Sequence, residues 1–252
     1  MKRPLNIAIL VRRFTTDGGM ERYVVETVTR LHQRGHEIHL YAREADPRLL
    51  GDMHFHRVPN RYRFSSVLSS SSFARDAARM LRNRSYDCVH SHERCYSQDV
   101  LTVHCRSYKE GMSKYSRWRL DQNCLNVRNA LYLNLERRQM ATPWLVSVSE
   151  SICEDLRRQY GRTERVALIP PGVDTEWFAP EAVRALRAEA RAREGFAEDE
   201  LAVLFVGSEF RRKGLDLLIP AIGEGMRLLV VGRGDHLASM KSLAAACGVA
   251  ER

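Results

Sequence analysis

The chain lacks several features that would assign it quickly. Its six cysteines include no CxxC pair, which excludes a ribbon-type zinc site and argues against a disulfide framework. No run approaches the ~20 apolar residues of a membrane-spanning helix. The start, MKRPLNIAILVRRF, resembles a secretory leader only briefly. Its apolar stretch from Leu5 to Val11 is short and is stopped by Arg12 and Arg13, where a cleavage site should be. The expectation is therefore a soluble, cytoplasmic protein. Neither GxGxxG nor GxxxxGK[ST] occurs, so dinucleotide-binding and P-loop readings lose ground.

What is present points to a globular protein. Of 252 residues, 44% are hydrophobic and 28% charged, a balance that argues against disorder. Forty basic residues against 31 acidic ones leave a formal charge of +9. A surplus of this size favours phosphates, whether of a nucleotide, a nucleic acid or an anionic membrane.

Short β-branched runs alternate with helical stretches. LNIAILV (5–11) fits a strand buried on both faces. TTDGG (15–19) is a turn, and the spacing of Val24, Val25, Val28 and Leu31 predicts a helix ended at Gly35. HEIHLY (36–41), MHFHRV (53–58), YDCVH (86–90), VLTVH (100–104) and WLVSVS (144–149) read as further strands. A helix capped by Ser149 or Ser151 follows the last of these. The alternation predicts a doubly wound parallel α/β domain. VALIPPGVD (166–174) marks a boundary, giving domains 1–170 and 171–252. In the second, LAVLFVG (201–207) and MRLLVVG (226–232) are strands, with helices over about 181–194, 215–222 and 236–247. Two strands are too few for a complete doubly wound domain.

Four stretches carry possible chemistry. Gly18 and Gly19 in TTDGGME (15–21) let a ligand approach a helix N-terminus, although a plain βα turn would use the same glycines. In GSEFRRKG (207–214), Arg212 and Lys213 sit before a predicted helix, where cations are unfavourable unless an anion lies between them; a solvated basic loop is the alternative. His90 and His92, with His104 on the next strand, fall at the carboxyl ends of strands, the edge that lines the ligand crevice in open α/β sheets. Cys88 and Cys95 flank the first two, so zinc is conceivable, yet an ordinary strand edge shows the same period. Finally, residues 106–140 interleave Tyr108, Tyr115, Trp118 and Tyr132 with Lys109, Lys114, Arg117 and Arg119. That mixture suits single-stranded nucleic acid, an anionic lipid surface or a solvated helix pair.

Three segments together, GGMERYV…LHQRGHEIHLY (18–41), LIPPGVDTEWFAP (168–180) and VGSEFRRKGLDLLIPAI (206–222), resemble the GT-B glycosyltransferases of family 4, most closely the lipopolysaccharide core glucosyltransferase group. The resemblance implies two Rossmann-like domains about a cleft, 1–170 for the acceptor and 171–252 as an incomplete nucleotide-sugar donor domain. It implies transfer of a hexose such as glucose from a UDP-type donor to a hydroxyl of an envelope glycan, with retained anomeric configuration and neither metal nor cofactor. Arg212 and Lys213 would hold the donor phosphates with Gly18 and Gly19 opposite, and His104 would lie beside the sugar. Gly207, Ser208, His90, His92 and Glu21 would line the cleft. Lys109, Lys114, Arg117, Trp118 and Arg119 would meet a lipid-linked or saccharide acceptor at the inner face of the plasma membrane, with no nucleic acid involved. Two departures stand out. Ser208 replaces an arginine common in the family, a feature the core group shares. The family's paired glutamates, E-x7-E, fall beyond Arg252, so feeble activity is expected of this polypeptide. A non-catalytic nucleotide or membrane binder and a basic nucleic-acid-binding protein are the competing classes.

Overall fold

The computed structural model describes residues 3–62, 65–113, 127–234 and 236–252. They form two compact units, Met1–Gly172 and Val173–Arg252.

The first unit is built on a seven-stranded parallel sheet. Its strands are β1 (Asn6–Leu10), β3 (Glu37–Ala42), β5 (His54–Arg57), β6 (Cys88–Ser91), β7 (Val100–Val103), β8 (Trp144–Ser147) and β9 (Val166–Leu168). In space the order is β5-β3-β1-β6-β7-β8-β9. The chain thus builds outward from β1 in one direction, then returns to lay β6 beside β1 and builds the other way. That reversal between β1 and β6 is the topological switch point of a doubly wound sheet. Two short strands, β2 (Arg13–Phe14) and β4 (Glu44–Ala45), pair in a separate parallel ladder.

The apolar run of β1 explains its central place, because its side chains alternate between two cores. Ile7, Ile9 and Val11 pack with Val24, Val25 and Val28 of helix α1 (Gly19–Gln33). Ala8 and Leu10 face Phe73 and Ala77 of α2 (Ser66–Leu81) on the other side. Each fully buried aliphatic side chain contributes roughly 1.5–3 kcal/mol. Glu21 in the first turn of α1 and Arg30 in the last complement the helix dipole, and Gly35 leaves the helix at φ +85°. A third core joins Leu101, Leu145 and Met140 to Ile152 and Leu156. It draws on α4 (Val127–Met140) and α5 (Glu150–Tyr160), which follow the short α3 (Tyr108–Ser113). Ser149 occupies the N-cap position of α5 but makes no side-chain cap. Its hydroxyl faces that of Ser151 at 3.2 Å, so the expected cap is not formed.

The second unit has two parallel strands, β10 (Leu201–Val206) and β11 (Met226–Val231). Helices α6 (Pro180–Arg193), α7 (Leu215–Leu218) and α8 (Leu237–Ala246) accompany them. The single helix expected over 215–222 breaks into α7 and a 3-10 turn, Ile219–Ala221. Pro220 has no N–H to continue an α-helical ladder. Phe205, Phe210, Leu215, Ile219 and Met240 form this unit's core.

Candidate functional site

In the first unit, the carboxyl ends of β1, β3, β6 and β7 gather polar side chains where the switch point opens the sheet edge. Arg12 follows β1 and Glu93 follows β6. The Arg12 guanidinium lies 2.9 Å from the Glu93 carboxylate, and the Arg12 backbone N–H donates to the same group at 3.4 Å. Burial draws the Arg12 pKa down, but Glu93 more than offsets it, leaving a net rise. Arg43, just beyond β3, is buried. It donates to the Ser69 hydroxyl at 2.5 Å, the Ser69 carbonyl at 2.6 Å and the Ser72 hydroxyl at 2.9 Å, and lies over the Phe73 ring. Desolvation lowers its pKa, helped by the positive charge of Arg12. Arg12, Arg43, Glu93, Asn60 and Glu21 line a pocket of ≈ 330 Å³. Glu21 thus stands in the crevice, its carboxylate folded back over Gly18. A methyl group at Gly18 would collide with it, whereas Gly19 has open space beside it. The Gly18 backbone is extended, a conformation open to any residue, so no left-handed turn demands the double glycine.

Beside this pocket the three histidines meet. His92 Nδ1 and His104 Nε2 are 3.1 Å apart, and His90 Nε2 lies 2.8 Å from the Thr102 hydroxyl. The His90 and His92 ring centroids are 4.4 Å apart, those of His92 and His104 5.3 Å. Tyr23 of α1 presents its ring edge-on to His104 at 5.0 Å. Burial pushes His90 down to about 4, with the neighbouring His104 adding to the shift, and desolvation does the same for His104. His92, fully enclosed, is held well below its ordinary value, first by burial and then by its two neighbours. The trio is therefore neutral at pH 7. It offers hydrogen bonds to hydroxyl groups but no charge and no acidic proton. Cys88 and Cys95 do not join it: they belong to cores on opposite faces of the sheet. Burial raises their thiols to about 11 and about 12.

In the second unit, the loop after β10 touches the loop after β11. A Cβ at Gly207 would lie 2.6 Å from Lys213 Cδ, so the lysine stem folds back over that glycine. Gly232 has φ +151°, and a Cβ there would strike the Gly207 carbonyl. Gly234 lies flat against the Phe210 ring. Ser208 is exposed. Arg212 is paired with Glu209 at 2.5 Å, and this pairing holds the Glu209 carboxyl below its usual range. Arg212 is thus ion-paired with an exposed neighbour, Glu209, so its position before the helix is not by itself a sign of a bound anion. Gly214, at φ +82°, also separates Lys213 from α7, a helix of only four residues.

The basic-aromatic stretch is partly reassigned. Lys109 does not project freely: its ammonium donates to the Gln159 carbonyl at 2.7 Å and lies over the Tyr160 ring. Tyr108 and Tyr132 pack on each other at 5.0 Å, with Tyr132 buried. Lys114, Arg117, Trp118 and Arg119 lie outside the described residues.

Arg12, Arg43, Glu93 and Tyr23 were not singled out from sequence. The adjacent Arg12–Arg13 at the end of an apolar strand was the available signal for the first. The others need the fold, since Arg12 and Glu93 stand 81 positions apart.

Comparison with solved structures defines the class. WaaG, a glycosyltransferase involved in lipopolysaccharide biosynthesis, matches with TM-score 0.83 at 22% identity, over 97% of this chain and 68% of that one. Anabaena Alr3699/HepE, solved with UDP and glucose, matches with TM-score 0.68 at 14% identity, over 98% of this chain and 68% of its own. The fold is that of the GT-B glycosyltransferases. Residues 17–177 match Glycosyltransferase Family 4, and the chain belongs to that family. A D-inositol 3-phosphate glycosyltransferase of Xylanimonas cellulosilytica is 28% identical over 268 residues, covering 93% of this chain and 64% of that protein. A GDP-mannose-dependent alpha-(1-6)-phosphatidylinositol monomannoside mannosyltransferase of Mycobacterium tuberculosis is 36% identical over 98 residues, 36% of this chain and 25% of that protein. The chain thus spans less than two thirds of the length of these curated relatives. Among the described residues, no helix is long and apolar enough to cross a membrane.

Proposed function

We propose that this polypeptide is part of a retaining glycosyltransferase that moves a hexose, glucose foremost, from a UDP-type donor to an acceptor hydroxyl of lipopolysaccharide core or a related envelope glycan. The observation that carries this reading is the family match over residues 17–177, which runs through Gly18, Gly19 and all three crevice histidines. In such a transfer the bond from the anomeric carbon to the diphosphate oxygen breaks, and negative charge gathers on the leaving group. Lys213 and Arg212, beside the close-approaching glycines of the second unit, are the cations that would meet it. The neutral imidazoles suit the other half of the task. His104 accepts or donates hydrogen bonds to sugar hydroxyls without protonating the glycosidic oxygen, and Arg12 and Glu93 supply further polar contacts in the pocket beside it. This division assigns the acceptor to the first unit and the donor to the second.

Nucleotide binding tests the proposal directly. A ligand at a hundredfold excess over its Kd stabilises the folded state by about 2.7 kcal/mol, so UDP or a UDP-sugar is expected to raise the melting temperature of the chain. R212A/K213A should weaken that binding at least tenfold, or about 1.4 kcal/mol. Absence of stabilisation by any nucleotide or nucleotide sugar, or equal binding by the double variant, would remove the donor-site assignment.

A further inference from the structure

At the amino ends of β3 and β5, opposite the crevice, three metal-ligating side chains converge. The parallel register sets His39 against His54, and the two-residue period of β3 places Glu37 on the same face as His39. His39 Nε2 lies 3.2 Å and His54 Nε2 3.3 Å from the same Glu37 oxygen, Oε1. All three ligand atoms lie within 4.8 Å of one another. The two imidazole rings stack with centroids 4.5 Å apart.

The hydrogen-bond pattern around them leaves a gap in the proton accounting. A guanidinium nitrogen of Arg84 lies 3.2 Å from His56 Nε2. Arginine only donates, so His56 Nε2 is an acceptor. His39 Nδ1 faces that same nitrogen at 2.9 Å and must carry the hydrogen between them. A neutral His39 with its hydrogen on Nδ1 turns a bare lone pair at Nε2 toward the Glu37 carboxylate, itself an acceptor only. Two acceptors at 3.2 Å are repulsive without a cation beside both. A tetrahedral zinc with bonds of about 2.0–2.1 Å sets neighbouring ligands roughly 3.3 Å apart, close to the spacing of both pairs. A protonated His39, with His54 donating through its own Nε2–H, would also satisfy the Glu37 oxygen; the zinc titration below separates that arrangement from a bound cation.

We infer that Glu37, His39 and His54 form a binding site for a borderline divalent cation of the zinc type, independent of the crevice. His56 is its positioning residue: by accepting from His39 Nδ1 it aims Nε2 at the metal, the role that outer partners of ligating histidines play. The fourth coordination position is left to water. Because His54 stands on the edge strand and the other two ligands on its neighbour, a bound cation clamps β5 to β3. The site stabilises the first unit and takes no part in group transfer.

The test uses the whole 252-residue chain, stripped with chelator and titrated with zinc alone against a chromogenic indicator. One equivalent is expected to bind with a rise in melting temperature, and cobalt should give the intense visible bands of tetrahedral coordination. H39Q/H54Q should abolish stoichiometric binding, and H56A should weaken it about 10–100-fold. E37Q, a change at an exposed carboxylate, keeps the experiment decisive where the histidine variants fold poorly by circular dichroism. Failure of the wild-type chain to bind one equivalent, octahedral cobalt spectra, or unchanged affinity in E37Q would each overturn the proposal.

Discussion

His90, His92 and His104 are uncharged at neutral pH because the packed carboxyl ends of β6 and β7 withhold the water an imidazolium would need. This has a definite consequence for stability. In the unfolded chain an imidazole titrates near 6.5, whereas His90 and His104 titrate at about 4 in the folded protein. Between those values the unfolded state binds more protons, so stability falls as pH drops from 6.5 toward 4. Above 6.5 the groups are neutral in both states and add no pH dependence. For His90 the loss is on the order of 3 kcal/mol. Urea unfolding at steps from pH 7 to pH 4 measures it, and H90Q should flatten the profile. Stability that holds constant over that window, or an unchanged slope in H90Q, would show that the imidazole is hydrated. The strand-edge position of these residues was legible in the two-residue period of YDCVH and in the ends of the apolar runs. Their neutrality was not, since burial is set by what packs over them.

At the scale of elements, a buried acid organises the helical part of the first unit. Glu136 of α4 is almost fully enclosed. It accepts the Tyr108 N–H at 2.6 Å and the Lys109 N–H at 3.1 Å, capping α3, and takes the Tyr160 hydroxyl of α5 at 2.5 Å. Burial, then the bond to Glu136, pushes the Tyr160 pKa up. Replacing one partner in such a network leaves the rest unpaired, so E136A is expected to cost about 3–5 kcal/mol. E154Q, at an exposed site, should leave stability almost unchanged. Similar midpoints for both variants in urea would show that Glu136 does not tie these helices together. Gly232 plays a comparable part for β10 and β11. G232A combines a left-handed φ with a collision at the Gly207 carbonyl, and should destabilise the second unit by more than about 1 kcal/mol. An unchanged thermal transition would mean that the loops separate freely. Most of the large elements could be read from apolar spacing and punctuating glycines. The break at Pro220 was readable too, from the missing N–H, yet a helix across it was the expectation. Glu136 gave no local signal, because its partners lie 24–28 positions away.

For the whole molecule, the +9 charge remains the property least explained by described contacts. A membrane surface is the partner we favour, with Lys114, Arg117 and Arg119 as its contacts. Each basic residue near an anionic bilayer adds about 1 kcal/mol, so neutralising all three should lower vesicle affinity on the order of a hundredfold. The loss should shrink as salt rises. Binding to phosphatidylserine vesicles that is unaffected by the triple change would redirect attention to other cations. Lys109 is left out of this triple change because its ammonium is bonded to the Gln159 carbonyl.

Periodicity and punctuation were enough to identify a parallel α/β chain in two parts, and three motifs in order were enough to suggest its family. These are local properties, written in the spacing of neighbouring residues. Contacts between residues far apart in the chain were decided by tertiary structure alone. Laying β6 against β1 brought Arg12 to Glu93, and aligning β3 with β5 brought Glu37 and His39 to His54. A side chain's charge and availability depend on its partners and on the water excluded around it, and both arise only when distant strands pack.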